Sequence, residues 1–177
     1  MSVEAFRFCP RCASPLAETA AEEDGGRKVR WRCPACEFTH WNNPTPVLAA
    51  VVQGRDGQVL LARNAAWPGR FFGLITGFME AGETPEAGIA REVAEETALS
   101  VEATTLIGVY DFQRMNQIII AYHVRAHGEL RLSPELAEAK WFAPERVRCW
   151  QAGTGLALAQ WLRGQGLTPV FLETPQG

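Results

Sequence analysis

The chain has 177 residues, of which 47% are hydrophobic and 21% charged, and a net charge of −3 at pH 7. This length allows one domain of ordinary size plus a small appendage, and the charge gives no global reason to expect nucleic acid or an anionic membrane as a partner. No apolar run reaches the roughly 18 residues that span a bilayer, and the N-terminus lacks the pattern of a signal peptide. We therefore expect a cytoplasmic protein.

The N-terminal segment carries cysteines in a pattern typical of a metal site. Cys9 and Cys12 form one CxxC pair and Cys33 and Cys36 form a second, with twenty residues between the pairs. This spacing fits a four-cysteine zinc site, in which the sulfur atoms form a closed tetrahedron. Because a closed site has no open position, we predict a structural zinc ribbon over residues 1–42 rather than two redox-active CxxC motifs.

Between the cysteine pairs, Gly25 and Gly26 predict a hairpin turn. The arm that follows is locally basic through Arg27, Lys28, Arg30 and Arg32. Such a patch could contact RNA, but we prefer a solvated hairpin face, so no nucleic-acid partner is expected.

Apolar runs after the ribbon predict a β-rich domain. The predicted strands cover residues 47–53, 58–63, 106–113, 117–126 and 136–142, with a short strand over 129–132. Residues 154–164 predict an amphipathic C-terminal helix. An earlier helix should begin after the N-cap Thr84 and end near Thr97. A stripe of alanines is expected to face the sheet from that helix, and it consists of Ala87, Ala90, Ala94 and Ala98.

Three glutamates share one face of this earlier helix. Glu92, Glu95 and Glu96 are spaced i, i+3 and i+4. Like charges at this spacing repel by a few tenths of a kcal/mol per pair, so the arrangement favours a bound cation. Carboxylate oxygens are ligands that suit Mg²⁺, and a solvated acidic face is the alternative.

The stretch of residues 77–99 resembles the Nudix box, GX5EX7REUXEEXGU, where U is apolar. The matching positions are Gly77, Glu83, Arg91, Glu92, Val93, Glu95, Glu96 and Leu99. Ala98 stands where the pattern has glycine, and a left-handed alanine at a helix end costs roughly 1 kcal/mol. We identify the chain as a member of the Nudix hydrolase family. Its ribbon, proline-containing connection and box are similar to the branch of NADH, ADP-ribose and FAD pyrophosphatases.

This resemblance implies a fold and a reaction. The fold is an α/β/α sandwich with a mixed sheet over residues 43–177, preceded by the zinc ribbon. The reaction is Mg²⁺- or Mn²⁺-dependent hydrolysis of a pyrophosphate bond that joins a nucleoside diphosphate to another moiety, with release of AMP. The implied metal-site residues are Gly77, Glu83, Glu92, Glu95 and Glu96.

The resemblance also implies roles around the metal site. Arg91 would hold the glutamates in register through an ion pair with Glu83, and Glu96 and Arg91 count among the catalytic residues. The general base of this family often lies outside the box. Glu135 and Glu138 are the candidates, and Glu138 is preferred from its place in AEAKWF.

The substrate must be predicted from other segments. The SQPWPFP-like motif of NADH pyrophosphatases is absent, and residues 110–120 read YDFQRMNQIII instead. ADP-ribose or FAD is therefore expected at least as much as NADH. Rings that could stack on a base are Phe71, Phe72, Tyr110 and Phe112, and cations that could reach phosphates are Arg63, Arg70 and Arg114. From these we retain four substrate-binding candidates, Arg63, Phe72, Tyr110 and Arg114.

Two other functions stay open. The chain could be a nucleotide- or RNA-binding module without catalysis, although no glutamate of the box is lost. It could also remove nucleotide caps from RNA, as some zinc-ribbon Nudix enzymes do. Related enzymes of this layout are often dimers, so a homodimer is expected by analogy alone.

Overall fold

The computed structural model describes residues 6–66, 69 and 71–172. Arg70, one of the candidate phosphate contacts, lies outside these residues. The chain divides into two compact units, one with residues up to Pro44 together with 114–116, the other with 45–113 and 117 onward. No helix in the described part of the chain is long and apolar enough to span a membrane. The predicted domain boundary between residues 42 and 43 stays a prediction.

The first unit contains a three-stranded antiparallel sheet. Strand β1 (Ala17–Glu23) pairs with β2 (Gly26–Arg32), and β2 pairs with β3 (Thr39–His40). The turn between β1 and β2 has positive φ angles at Gly25 and Gly26, so the predicted hairpin is confirmed.

The second unit is built around a six-stranded sheet in the order β7-β8-β4-β5-β9, with β6 paired to β4. Its strands are β4 (Thr45–Gln53), β5 (Val59–Asn64), β6 (Ile75–Phe78), β7 (Ser100–Phe112), β8 (Gln117–His127) and β9 (Leu136–Phe142). Strands β4 and β8 are parallel and the other pairs antiparallel, so the sheet is mixed, as expected. A short parallel pair, β10 (Arg148–Cys149) and β11 (Val170–Phe171), lies outside it.

One helix covers each face of the six-stranded sheet. Helix α1 (Pro85–Thr97) packs Ile89 and Val93 into one core cluster, while α2 (Thr154–Gly164) packs Leu158 and Leu162 into another. Successive strand residues point to opposite faces, so a single strand such as β5 serves both clusters. The α/β/α sandwich expected from the resemblance is confirmed.

Two expectations about local structure were wrong. The alanine stripe does not face the sheet, because Ala87 and Ala94 are exposed while the larger Ile89 and Val93 are buried and cover more apolar surface. Residues 129–132 form no strand, because backbone groups in this segment bond to the end of α1 instead.

Candidate active site

Helix α1 is fixed at both ends by its own sequence. The hydroxyl of Thr84 accepts a hydrogen bond from the amide of Ala87 at 3.2 Å, and Pro85 occupies the first turn. At the other end Ala98 adopts the left-handed conformation, with φ 57°, and its amide donates to the carbonyl of Ala94. The helix therefore ends in the left-handed conformation that glycine usually adopts at this position. Ala98 carries the backbone strain expected of alanine there.

Gly77 of β6 gives Glu92 the space it occupies. A Cβ atom on Gly77 would lie 1.8 Å from Cδ of Glu92, inside contact distance of any pair of atoms. The side chain of Glu92 is only 14% exposed. The glycine of the box therefore allows a carboxylate to lie directly against the backbone of the sheet.

Arg91 connects four groups around this point. Its guanidinium donates two bonds to Glu83, at 3.1 and 2.9 Å, and one each to Glu92 at 2.9 Å and Glu95 at 3.1 Å. It also donates to the carbonyl of Phe78 at 3.3 Å. The bond from Arg91, with one from the amide of Glu80, lowers the pKa of Glu83, and Glu83 in turn raises the pKa of Arg91. The predicted Arg91–Glu83 pair thus exists as a bidentate contact.

Glu96 has the opposite electrostatic environment. It is 7% exposed, and burial together with the charges of Glu92, Glu135 and Glu95 raises its pKa to about 7. Burial also raises the pKa of Glu92, although Arg91 opposes that effect. Crowded, buried carboxylates of this kind are stabilised by a cation, and their oxygen atoms suit Mg²⁺ or Mn²⁺.

Glu135 reaches this group through a backbone connection. The amides of Arg131 and Ser133 donate to the carbonyls of Thr97 and Glu96, each at 3.0 Å, which fixes the segment before β9 against the end of α1. The charge of Glu135 consequently acts on both Glu92 and Glu96.

Glu138, the residue preferred as the base, has other neighbours. Its carboxylate lies 2.7 Å from Nζ of Lys140 and 3.9 Å from Nε of Arg63. Of the two glutamates, Glu135, in the turn before β9, has a charge that acts on Glu92 and Glu96. The reason is the tie between residues 131–133 and α1, which the sequence did not reveal.

Glu138 instead lines a polar pocket of about 450 Å³ with Arg63, Gly69, Phe72 and Lys140. Lys140 Nζ lies 5.0 Å from the centroid of the Phe72 ring. Alternation along β5 places Arg63 on the same face as Leu61, which belongs to the α2 cluster. Two predicted substrate residues, Arg63 and Phe72, are thus brought together.

The other two substrate candidates lie elsewhere. Tyr110 donates its hydroxyl to Oε1 of Gln160 on α2 at 2.7 Å, and Arg114 belongs to a 3-10 turn that clusters with the first unit. Neither is among the described residues that line the pocket.

Phe78 was not singled out from the sequence. It follows Gly77 directly, it is 60% exposed, and its carbonyl is bonded by Arg91. Because side chains alternate along β6 and Gly77 faces Glu92, the Phe78 ring points to the opposite face of the sheet, and its backbone carbonyl is the group that reaches Arg91. In the sequence, the position of Phe78 directly after Gly77 of the box was the signal that could have identified it.

The four cysteines of the first unit converge as predicted. Their sulfur atoms all lie within 4.8 Å of one another, and Cys9 and Cys33 are buried. The two CxxC pairs have the same backbone turn. Ala13 and Glu37, the residues that follow the pairs, each have φ 59°, and the amide of each donates to the carbonyl of the first cysteine of its pair. Four thiol groups at this separation fit one tetrahedral Zn²⁺.

Comparison with known proteins gives a consistent result. The profile described as NUDIX domain matches residues 43–163. The NAD-capped RNA hydrolase NudC of Mycobacterium tuberculosis is 34% identical over 119 residues, 66% of this chain and 36% of that protein. The protein of the same name from Stutzerimonas stutzeri is 30% identical over 157 residues, 88% of this chain and 54% of that protein. The chain thus spans about a third to a half of the length of these curated relatives.

Solved structures agree on the fold. The crystal structure of a NUDIX hydrolase from Nitrosomonas europaea superposes with a TM-score of 0.75 and 26% identity, covering 94% of this chain and 97% of that chain. An ADP-ribose pyrophosphatase from Streptococcus suis superposes with a TM-score of 0.58 at 19% identity, covering 73% of this chain and 100% of that one. The second likeness concerns the fold alone.

Proposed function

This chain belongs to the NUDIX family, and from that membership we propose that it hydrolyses the pyrophosphate bond of a nucleoside diphosphate linked to another moiety. One observation carries the proposal. Glu96 is buried and Glu92 is half-buried, both have raised pKa values, and Gly77 leaves room for the carboxylate of Glu92. A divalent cation stabilises a site of this kind because it takes carboxylate oxygens as ligands and neutralises their charge.

Mg²⁺ or Mn²⁺ would be held by Glu92, Glu96 and the exposed Glu95, with the carbonyl of Gly77 as a further oxygen ligand. When bound, the cation neutralises phosphate charge and lowers the pKa of a coordinated water. Arg91 and Glu83 form the frame that fixes the position of these side chains.

The chemical step needs a proton acceptor on the protein. We assign this role to Glu135, because its charge acts on Glu92 and Glu96, whereas Glu138 lies with Arg63 and Lys140. The carboxylate of Glu135 takes one proton from the attacking water, whose oxygen forms the new bond to phosphorus. The bond between that phosphorus and the bridging oxygen breaks, so two phosphate monoesters leave.

The pocket of Arg63, Phe72 and Lys140 is proposed to hold part of the substrate. Cations and an aromatic ring within one pocket suit a phosphorylated or aromatic group. The pocket lies on the face of the sheet that α2 covers and the carboxylates lie on the α1 face, so a substrate in contact with both passes around the edge strand β9.

A substrate panel tests the reaction. Purified protein with Mg²⁺ or Mn²⁺ is expected to hydrolyse at least one of ADP-ribose, FAD and NADH with release of AMP, measured by product chromatography. Glu135→Gln should lower the rate far more than Glu138→Gln, which should raise KM instead. No turnover of any nucleoside diphosphate derivative would favour a binding module without catalysis, and equal loss in both variants would refute the assignment of Glu135.

A second candidate substrate comes from the curated relatives, which are NAD-capped RNA hydrolases by name. An RNA with a 5′-terminal NAD contains the same pyrophosphate bond, so the same residues would serve. An NAD-capped oligonucleotide in the panel distinguishes the candidates. A kcat/KM for this RNA at least about tenfold above that for free NADH would make RNA the preferred substrate.

The four cysteines are proposed to hold one structural Zn²⁺. Elemental analysis of the purified chain should find about one zinc per chain, since four thiolates complete one closed site. Free titration of all four thiols in a protein without zinc would contradict the proposal.

A further inference from the structure

The basic arm of the ribbon separates charge between its two faces. Residues of β2 alternate, so Lys28, Arg30 and Arg32 lie on one face and Arg27 on the other. The contacts agree, because Arg30 and Lys28 both reach the carboxylate of Glu23, at 2.9 and 3.8 Å. The overall charge of −3 conceals this local separation.

Opposite charges are distributed unequally between these faces. On the face of Lys28, Arg30 and Arg32, the partner strand contributes Glu23 as its acidic residue. Across from Arg27 and Trp31, it contributes Glu22 and Glu18. The first face, called here the cationic ribbon face, therefore carries excess positive charge, and the other face does not.

An exposed aromatic ring belongs to the cationic ribbon face. Trp41 is 53% exposed, and the guanidinium of Arg30 lies 5.5 Å from the centroid of its ring. Arg32 donates to the hydroxyl of Thr39 at 3.0 Å, which ties the cations to the segment that leads to Trp41. A solvent-exposed indole can stack on an unpaired base, and a neighbouring row of cations can bind the phosphate backbone of the same strand.

A cleft continues this face. It has a volume of about 470 Å³ and is lined by Arg11, Glu37, Phe38, Thr39, His40, Trp41, Asn42 and Asn43. The guanidinium of Arg11 lies 5.7 Å from the centroid of the Phe38 ring. The cleft thus offers a ring and a cation for a base, together with hydroxyl and amide groups that can pair with a ribose 2′-hydroxyl.

We infer that the cationic ribbon face and its adjoining cleft bind single-stranded RNA. The row of Lys28, Arg30 and Arg32 contacts the phosphates, and Trp41 stacks on a base. A duplex is a poorer ligand, because its bases are already stacked on one another and leave nothing for the indole. This surface lies in the first unit, and its binding of RNA does not depend on the hydrolysis proposed above.

The test measures binding of a short, fluorescently labelled, uncapped single-stranded RNA to the zinc-loaded full chain by fluorescence anisotropy. Arg32→Gln and Trp41→Ala are each expected to weaken binding about tenfold. Arg27→Gln is the matched control, because it removes the same charge from the same strand on the opposite face, and it should change the affinity less than about twofold. The combined Lys28→Gln and Arg32→Gln variant should reduce the salt slope by about 1.4, which corresponds to two phosphate contacts.

Several outcomes would overturn the inference. Absence of binding would do so, and so would an equal loss of affinity in Arg27→Gln and Arg32→Gln. Equal affinity for single-stranded DNA or for an RNA duplex would refute the specificity for single-stranded RNA. Glu96→Gln should bind the RNA as the unaltered chain does, and a loss there would place the strand at the carboxylate group instead. Zinc content and circular dichroism of each variant separate loss of contact from loss of fold.

Discussion

Replacing Glu96 by glutamine should stabilise the metal-free protein at high pH. Burial first, and then the charges of Glu92, Glu135 and Glu95, raise the pKa of Glu96 from 4.5 to about 7. The folded state therefore holds a proton that the unfolded chain releases at lower pH. The contribution of protonated Glu96 to the free energy of unfolding is fully present below about pH 4.5, and it is lost as the pH rises to about 7.

The size of the effect follows from the shift. One pKa unit corresponds to about 1.4 kcal/mol, so the ionised Glu96 opposes folding by at most about 3.5 kcal/mol above pH 7. Glutamine has nearly the same shape and no charge to bury. At about pH 8 the Glu96→Gln variant should therefore be more stable than the unaltered chain by roughly 1–3 kcal/mol, and near pH 4.5 the two should differ little.

The assay is urea denaturation of the zinc-loaded protein at both pH values, without and with added Mg²⁺. Mg²⁺ should stabilise the unaltered chain and have little effect on the variant, because a ligand that binds the folded state raises its stability. Glu145→Gln is the control, since it removes the same charge from an exposed position outside the carboxylate group. If Glu96→Gln were less stable at about pH 8, or if Mg²⁺ stabilised it fully, the description of this residue would be wrong.

Three further substitutions test the site and its support. Gly77→Ala should remove most activity, by about a hundredfold or more, while circular dichroism stays unchanged, because the new Cβ would lie 1.8 Å from Cδ of Glu92. Ala98→Gly should raise the free energy of unfolding by about 1 kcal/mol in urea denaturation, because φ is 57° at this position, and an unchanged midpoint would mean that the strain is absent. Cys12→Ser should release zinc and destabilise the ribbon, seen by elemental analysis and proteolysis, and full retention of zinc would exclude Cys12 as a ligand.

The sequence predicted the elements whose signals are local. Thr84 and Pro85 specify the start of α1 through a side-chain cap and a fixed φ, so its bounds were predicted closely. Residues 136–142 and 154–164 were predicted with the bounds that the structure has. The convergence of the cysteines was also predictable, because the spacing within each CxxC determines how two sulfur atoms are presented.

Features that depend on distant contacts were not predictable. Glu135 and Glu138 are equally acidic in the sequence, and only the bonds from residues 131–133 to the end of α1 distinguish them. The same bonds explain why residues 129–132 form no strand. The exposure of Phe78 and the separation of Tyr110 from Arg63 likewise follow from the order of strands in the sheet, which a single sequence leaves open.

The charges of the box fall into two groups with different roles. Arg91 forms a bidentate pair with Glu83 at the loop, so that carboxylate is neutralised by hydrogen bonds and its pKa is lowered. Glu92 shares the same guanidinium only in part, and Glu96 lies deeper, where the neighbouring charges that act on it are all negative. If Arg91 neutralised every glutamate equally, little electrostatic attraction for a cation would remain. By binding Glu83 most strongly, Arg91 holds the helix and loop together and leaves the negative potential at Glu96 available to the cation proposed above.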